Sequence, residues 1–157
     1  LDIGCGGGMN IKRMLKLSPH GIAAGVDVSE ESVKKSMQVN RKHLGTRCFI
    51  KHGSADNIPF ESECFDVVTA FETIYFWGDL QKSFNEIFRV LKNDGTFMAV
   101  CELSDSKSPW GKMVENIRIY TPEQLSQYMS DAGFTDIKVL KNKSGRMCVC
   151  AKKKAVI

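Results

Sequence analysis

Short apolar runs and helix-period stretches alternate along this chain, and the alternation starts at the first residue. Leu1-Asp2-Ile3 breaks into Gly4-Cys5-Gly6-Gly7-Gly8, the pattern of a buried strand end running into a tight turn with exposed backbone. Residues 9–17 then place Ile11, Met14 and Leu15 on one helical face, and Ser18-Pro19-His20-Gly21 ends that helix. Residues 22–28 form a continuous small-apolar run closing on Asp27, as expected of a strand buried on both faces of a parallel sheet.

The same alternation continues downstream. Ser29 is an N-cap followed by Glu30 and Glu31, and Val33, Met37 and Leu44 mark the apolar side of a second helix. Cys48-Phe49-Ile50 is a short strand, residues 53–60 are turn-rich, and residues 65–71 are a fourth strand. From Asp79 as cap, Leu80, Phe84, Ile87, Phe88 and Leu91 recur at helical spacing up to Asn93-Asp94-Gly95, and residues 96–103 form a fifth strand. Residues 104–119, with Pro109, Trp110 and Gly111, have no period and are expected to be a long loop. Thr121-Pro122-Glu123-Gln124 opens a capped helix with Leu125, Tyr128, Met129 and Ala132 on its stripe. Residues 134–140 and 147–151 are two strands joined through Asn142-Lys143-Ser144-Gly145. The expectation is an α/β fold, with a Rossmann-like, doubly wound, seven-stranded, mostly parallel sheet ending in a C-terminal antiparallel hairpin.

Composition narrows this picture without redirecting it. A chain of 157 residues with 43% hydrophobic content suits one domain, spanning residues 1–157. The net charge of +4 is too mild to indicate a nucleic-acid partner, and the basic residues near the end (Lys138, Lys141, Lys143, Arg146 and Lys152-Lys153-Lys154) suit a lysine-protected edge hairpin. Six cysteines contain no C-x-x-C pair and are expected to be reduced core thiols, while His20, His43 and His52 lack metal-ligand spacing. No run approaches the ~20 apolar residues of a membrane span, so a cytoplasmic protein without membrane partners is expected. The chain opens in mid-strand, so it is expected to be N-terminally truncated, with an upstream cap segment absent.

Candidate chemistry gathers at the ends of the expected strands. Residues 4–8, Asp27, Asp56 and Phe71-Glu72 follow strands one to four, where ligands sit in open α/β sheets. A dinucleotide G-x-G-x-x-G reading from Gly4 needs Gly or Ala at position 9, which is Met9. The observed pattern is D-x-G-x-G-x-G, starting at Asp2.

Leu1-Asp2-Ile3-Gly4-Cys5-Gly6-Gly7-Gly8 resembles the first motif of class I S-adenosylmethionine-dependent methyltransferases. Residues 53–60 are similar to that family's G-D-A-E-x-L-P-F loop, residues 88–96 to its R-V-L-K-P-G-G stretch, and Asp131-Ala132-Gly133-Phe134 to the turn before its hairpin. The resemblance implies S-adenosyl-L-methionine as cofactor and methyl transfer to a small-molecule acceptor by in-line displacement, releasing S-adenosylhomocysteine. It places Gly4, Cys5 and Gly6 under the methionine part, with Asp2 supporting its ammonium group or ordering the turn. Asp27 and the adjoining Val28 take the ribose end, with Asp27 as hydroxyl acceptor or, alternatively, as a cap for helix two. Ser54 and Ala55 meet the adenine, Asp56 either joins them or is a solvated turn residue, and Phe71 closes the strand-four side. Glu72 and Tyr75 are the candidate catalytic pair, against a reading in which both are structural. Tyr75-Phe76-Trp77 and Trp110 either wall a substrate or pack. No metal ligand is expected, and oligomeric state cannot be read from these residues. Two other readings stay open, a nicotinamide-dependent oxidoreductase and a non-catalytic cofactor-binding domain.

Overall fold

The computed structural model describes residues 1–102, 117–143 and 146–155. Seven strands form one sheet: β1 (Asp2–Ile3), β2 (Ala23–Asp27), β3 (Cys48–His52), β4 (Phe65–Phe71), β5 (Leu91–Cys101), β6 (Thr135–Lys141) and β7 (Met147–Lys152). Their spatial order is β3-β2-β1-β4-β5-β7-β6. Pairs from β3 to β5 are parallel, and β7 is antiparallel to both β5 and β6. The strand order reverses between β1 and β4, which opens a crevice at the carboxyl ends of those strands.

Helices α1 (Met9–Leu17), α2 (Glu30–Val39), α3 (Leu80–Val90) and α4 (Pro122–Asp131) cover the sheet. Two cores result. Ile11 and Leu15 of α1 and Val33 of α2 pack with Ala23, Cys48 and Ile50, while Phe84 and Ile87 of α3 and Leu125 and Met129 of α4 pack with Val68, Phe97 and Val149 in a larger cluster. The starts of three helices follow their expected caps. Ser29 accepts from Ser32 N–H at 3.2 Å, Asp79 from Lys82 N–H at 2.9 Å, and Thr121 with Gln124 closes a capping box.

Four local expectations are corrected. Leu91 opens β5 instead of closing α3: it pairs with Phe65, and Asn93-Asp94-Gly95 lie within the strand beside a register shift between Phe65 and Val67. Lys153 reinforces this start, since Asp94 N–H donates to its carbonyl at 2.7 Å and its own N–H donates to Gly95 at 3.0 Å. Second, α2 ends at Val39, and Leu44 follows a separate 3₁₀ turn, Arg41–His43. Third, the basic tail is not uniformly solvated. Lys153 is 8% exposed, donating its ammonium to the Leu91 carbonyl at 2.8 Å and lying 4.9 Å from the Phe88 ring centre. Among the cysteines, Cys5, Cys48 and Cys101 are buried, Cys148 and Cys150 half-buried and Cys64 exposed, all as free thiols, so only three belong to the core. The part of the expected loop at 103–116, including Trp110, lies outside the described residues.

Candidate functional site

The crevice holds a cavity of about 470 Å³, within the range of small-molecule and cofactor sites. Its lining joins four loops, each delivered by the end of a parallel strand. Of the expected site residues, Gly4, Asp27, Val28, Ser54, Ala55, Asp56, Phe71 and Glu72 face it. Asp2, Cys5, Gly6 and Tyr75 lie beside the lining rather than on it.

The glycine turn is built by the sequence that carries it. Gly4 and Cys5 N–H both donate to the Val26 carbonyl, at 2.8 and 3.1 Å, so the turn is pinned across β1 onto β2. Gly4 has φ +71°, and a Cβ there would fall inside the Thr73 hydroxyl. Gly6, at φ +51°, is different: a Cβ on it would meet nothing within 4 Å. That open space beside exposed backbone is a cradle.

Asp27 is oriented entirely by backbone. Gly6 N–H donates to Oδ2 at 2.8 Å and Ser29 N–H to Oδ1 at 2.9 Å. A carboxylate has about four acceptor positions, so each oxygen retains one. The helix cap itself is Ser29, which separates capping from the Asp27 carboxylate.

Asp2 is 1% exposed and accepts from the Thr69 hydroxyl at 2.8 Å through Oδ1. Its Oδ2 has no hydrogen-bond partner among the described residues. Burial pushes this carboxyl up to about 6, partly opposed by the Thr69 hydrogen bond. This buried acid directly precedes the glycine turn, and Asn10 in the first turn of α1 also acts on it.

The loop at residues 53–60 is held at its Ile58 to Phe60 end by two side chains of α3. Glu86 accepts from Ile58 N–H at 2.9 Å and binds Arg89 through both oxygens, at 2.7 and 2.8 Å, while Arg89 donates to the Ile58 and Phe60 carbonyls at 3.0 and 2.9 Å. The Arg89 guanidinium consequently holds the Glu86 carboxyl below its ordinary range. Within the loop the Ser54 hydroxyl donates to Asp56, whose other oxygen lies 3.9 Å from Lys82 Nζ. Asp56 is thus a turn residue that also lines the cavity.

On the far side, Glu72 sits at φ +55° immediately after β4. Its Oε2 accepts both the Tyr75 hydroxyl, at 2.9 Å, and Glu102 N–H, at 3.0 Å. Tyr75 is buried, Trp77 is buried against Phe84, and Phe76 is 61% exposed at the cavity rim. The sequence reading missed Ile3, Val26, Gly53, Thr73, Gly78 and Ser83 as lining. Thr73 had a usable signal, since it directly follows the strand-four acid; Ser83 sits on α3 and had none.

Residues 1–99 match the family described as "Methyltransferase domain". The chain belongs to this methyltransferase family. With that membership, the class I S-adenosylmethionine-dependent assignment, its fold and its cofactor, S-adenosyl-L-methionine, stand, and the nicotinamide and non-catalytic readings find no support. Among relatives, the methyltransferase is 28% identical over 150 residues to YrhH of Bacillus subtilis, a protein assigned as a methyltransferase, covering 96% of this chain and 74% of that one. It is also 28% identical over 165 residues to a demethylmenaquinone methyltransferase of Roseiflexus castenholzii, covering 87% and 68%. The geranyl diphosphate C-methyltransferase of Streptomyces coelicolor, solved with Mg²⁺, geranyl diphosphate and S-adenosyl-L-homocysteine, superposes with TM-score 0.83 at 14% identity, over 97% of this chain and 69% of that one. At that identity the likeness concerns fold alone.

Proposed function

We propose that the methyltransferase transfers a methyl group to a small-molecule acceptor within the crevice. The observation that carries this reading is the continuity of one cavity, from Asp27 and Ala55 past Phe71 and Glu72 to Phe76, Trp77 and Gly78. One end suits a cofactor and the other an acceptor. The relative named for demethylmenaquinone supports the same class of acceptor.

The residues fit the cofactor on three counts: the open cradle at Gly6, the orphan Asp2 oxygen, and the unspent acceptor positions of Asp27. Gly4, Cys5 and Gly6 would hold the methionine end, with Asp2 answering its ammonium through the turn. Asp27 would accept the two ribose hydroxyls, beside Val28, and Ser54, Ala55 and Asp56 would border the adenine. Phe71 would close the pocket wall. When bound, S-adenosyl-L-methionine supplies a methyl group on a sulfonium, which the acceptor displaces in line. The chain's own work is then alignment and exclusion of water by the walls at Phe71, Phe76 and Trp77. Glu72 and Tyr75 act as one hydrogen-bonded unit bordering the acceptor end: Tyr75 holds the Glu72 carboxylate, which is the acceptor's nearest base if a proton must leave. A cytoplasmic location accords with this role; among the described residues no helix is long and apolar enough to cross a membrane.

The test is incubation of the chain with methyl-labelled cofactor and a cell extract separated into small-molecule, protein and nucleic-acid fractions. Label in an extractable small product supports the reading. Label confined to protein or nucleic acid would overturn it.

A further inference from the structure

A second site of different chemistry lies on β7, whose residues are not among those lining the crevice. Cys148 and Cys150 are two residues apart on this strand, so their side chains share one face of the sheet. Their sulfurs are 3.4 Å apart, and both residues are half-buried. The register puts Met98 of β5 directly opposite Cys150, and Val100 opposite Cys148, on that same face. Met98 and Val100 are half-buried as well, and Leu140 of β6, opposite Cys148, is exposed. Lys138 of β6 lies opposite Cys150 and is exposed, so two thiols and a thioether are grouped in a partly accessible setting bordered by one lysine.

We propose that Cys148 and Cys150, with Met98 as a neutral third ligand, form a binding site for a soft monovalent metal ion, cuprous copper being the biological representative. Thiolate and thioether sulfurs select such ions over hard cations, which need oxygen ligands. The binding step is a proton exchange without redox change: two S–H bonds are lost, two metal–sulfur bonds form, and two protons leave to solvent. The thioether adds no charge.

The geometry favours a shared metal over a disulfide. Two thiolates each ~2.3 Å from a three-coordinate, trigonal metal stand ~4.0 Å apart, about half an ångström beyond the observed spacing. A disulfide would need the sulfurs to close to ~2.05 Å, on Cα atoms that a regular strand holds ~6.7 Å apart, at the upper limit for such a bond. Because β7 is paired on both sides, the strand resists that contraction, whereas a metal needs only side-chain rotation.

The test supplies cuprous ion anaerobically to the reduced chain as its complex with the chromophoric chelator bicinchoninate and follows loss of the chelator's colour. One equivalent is expected to transfer, with Cys64→Ser unchanged because its exposed thiol lies elsewhere. Cys150→Ser should lower the affinity at least tenfold and Met98→Leu by less, each with an unchanged thermal melt as the folding check. X-ray absorption of the loaded chain should report sulfur ligands only. No transfer, or full transfer to a Cys148→Ser, Cys150→Ser double variant, would overturn the proposal. So would oxygen or nitrogen ligands in the absorption spectrum.

Discussion

Two acids flank the central strand, Asp27 closing β2 and Glu72 just after β4, and they are held in different ways. Asp27 receives one backbone N–H on each oxygen, from Gly6 and Ser29, so its orientation is a property of the glycine turn and the α2 start. Glu72 receives both of its donors on a single oxygen, one of them the Tyr75 hydroxyl. Backbone donors fix a carboxylate without using a side chain, and they leave its remaining acceptor positions for a ligand. A side-chain donor ties the acid to a neighbour, so Glu72 and Tyr75 respond to change together. Asp27 is accordingly set by main chain alone, and Glu72 by one main-chain and one side-chain donor.

The largest effects are expected where the main chain is altered. Gly4→Ala combines a left-handed conformation with a clash on Thr73, and should cost about 3 kcal/mol, lowering the thermal melt by roughly 6–12 °C. Gly6→Ala meets open space, so only the strain of its φ, ~1–2 kcal/mol, should register in the melt. Equal losses at the two positions would break the distinction between a packed turn and an open cradle.

Next is a pH effect centred on Asp2. Its carboxyl is raised from 3.8 to about 6 by burial, so the folded state binds the proton more tightly than the unfolded chain does. Stability from this group is present below pH 4 and lost as pH rises through 6, by about 3 kcal/mol for a shift of this size. Denaturant melts of the wild type against Asp2→Asn between pH 4 and 7 should diverge, with the variant gaining relative stability as pH rises. S-adenosylhomocysteine, whose ammonium would answer the ionised acid, should narrow the gap. Parallel curves would remove Asp2 from this role.

Asp27→Ala should then weaken S-adenosylhomocysteine binding by more than ~1.5 kcal/mol, over tenfold, through loss of charge-assisted hydrogen bonds. Calorimetry on Glu72→Gln should find less than a threefold change. A reversed order would exchange the functions assigned to the two acids. Tyr75→Phe removes the hydroxyl that binds Glu72 and acts on the Cys101 thiol, and should cost ~1 kcal/mol in a thermal melt while leaving cofactor affinity unaltered.

Much of the cofactor half was legible because its parts are local. A run of glycines, an acid closing a buried strand and the 53–60 turn each announce themselves within a few residues, and strand alternation places them at one edge. The start of β5 was not legible: Leu91 continues the α3 stripe by spacing, and only its pairing with Phe65 and the Lys153 clamp draw it into the sheet. The side of the crevice around Glu72 was harder for the same reason. Ser83 reaches the cavity from a helix, and the Glu72 to Glu102 hydrogen bond spans strands far apart in sequence. Likewise, the grouping of Met98 with Cys148 and Cys150 depends on an antiparallel register that composition does not encode.

Amide hydrogen exchange with and without saturating S-adenosylhomocysteine tests the central claim most directly, because backbone donors hold Asp27 and pin the glycine turn. Protection should concentrate at residues 4–8, at Val28 and Ser29, and at residues 53–56, with little change in β6 or α4. Saturable binding that leaves residues 4–8 and 53–56 unprotected would contradict the account.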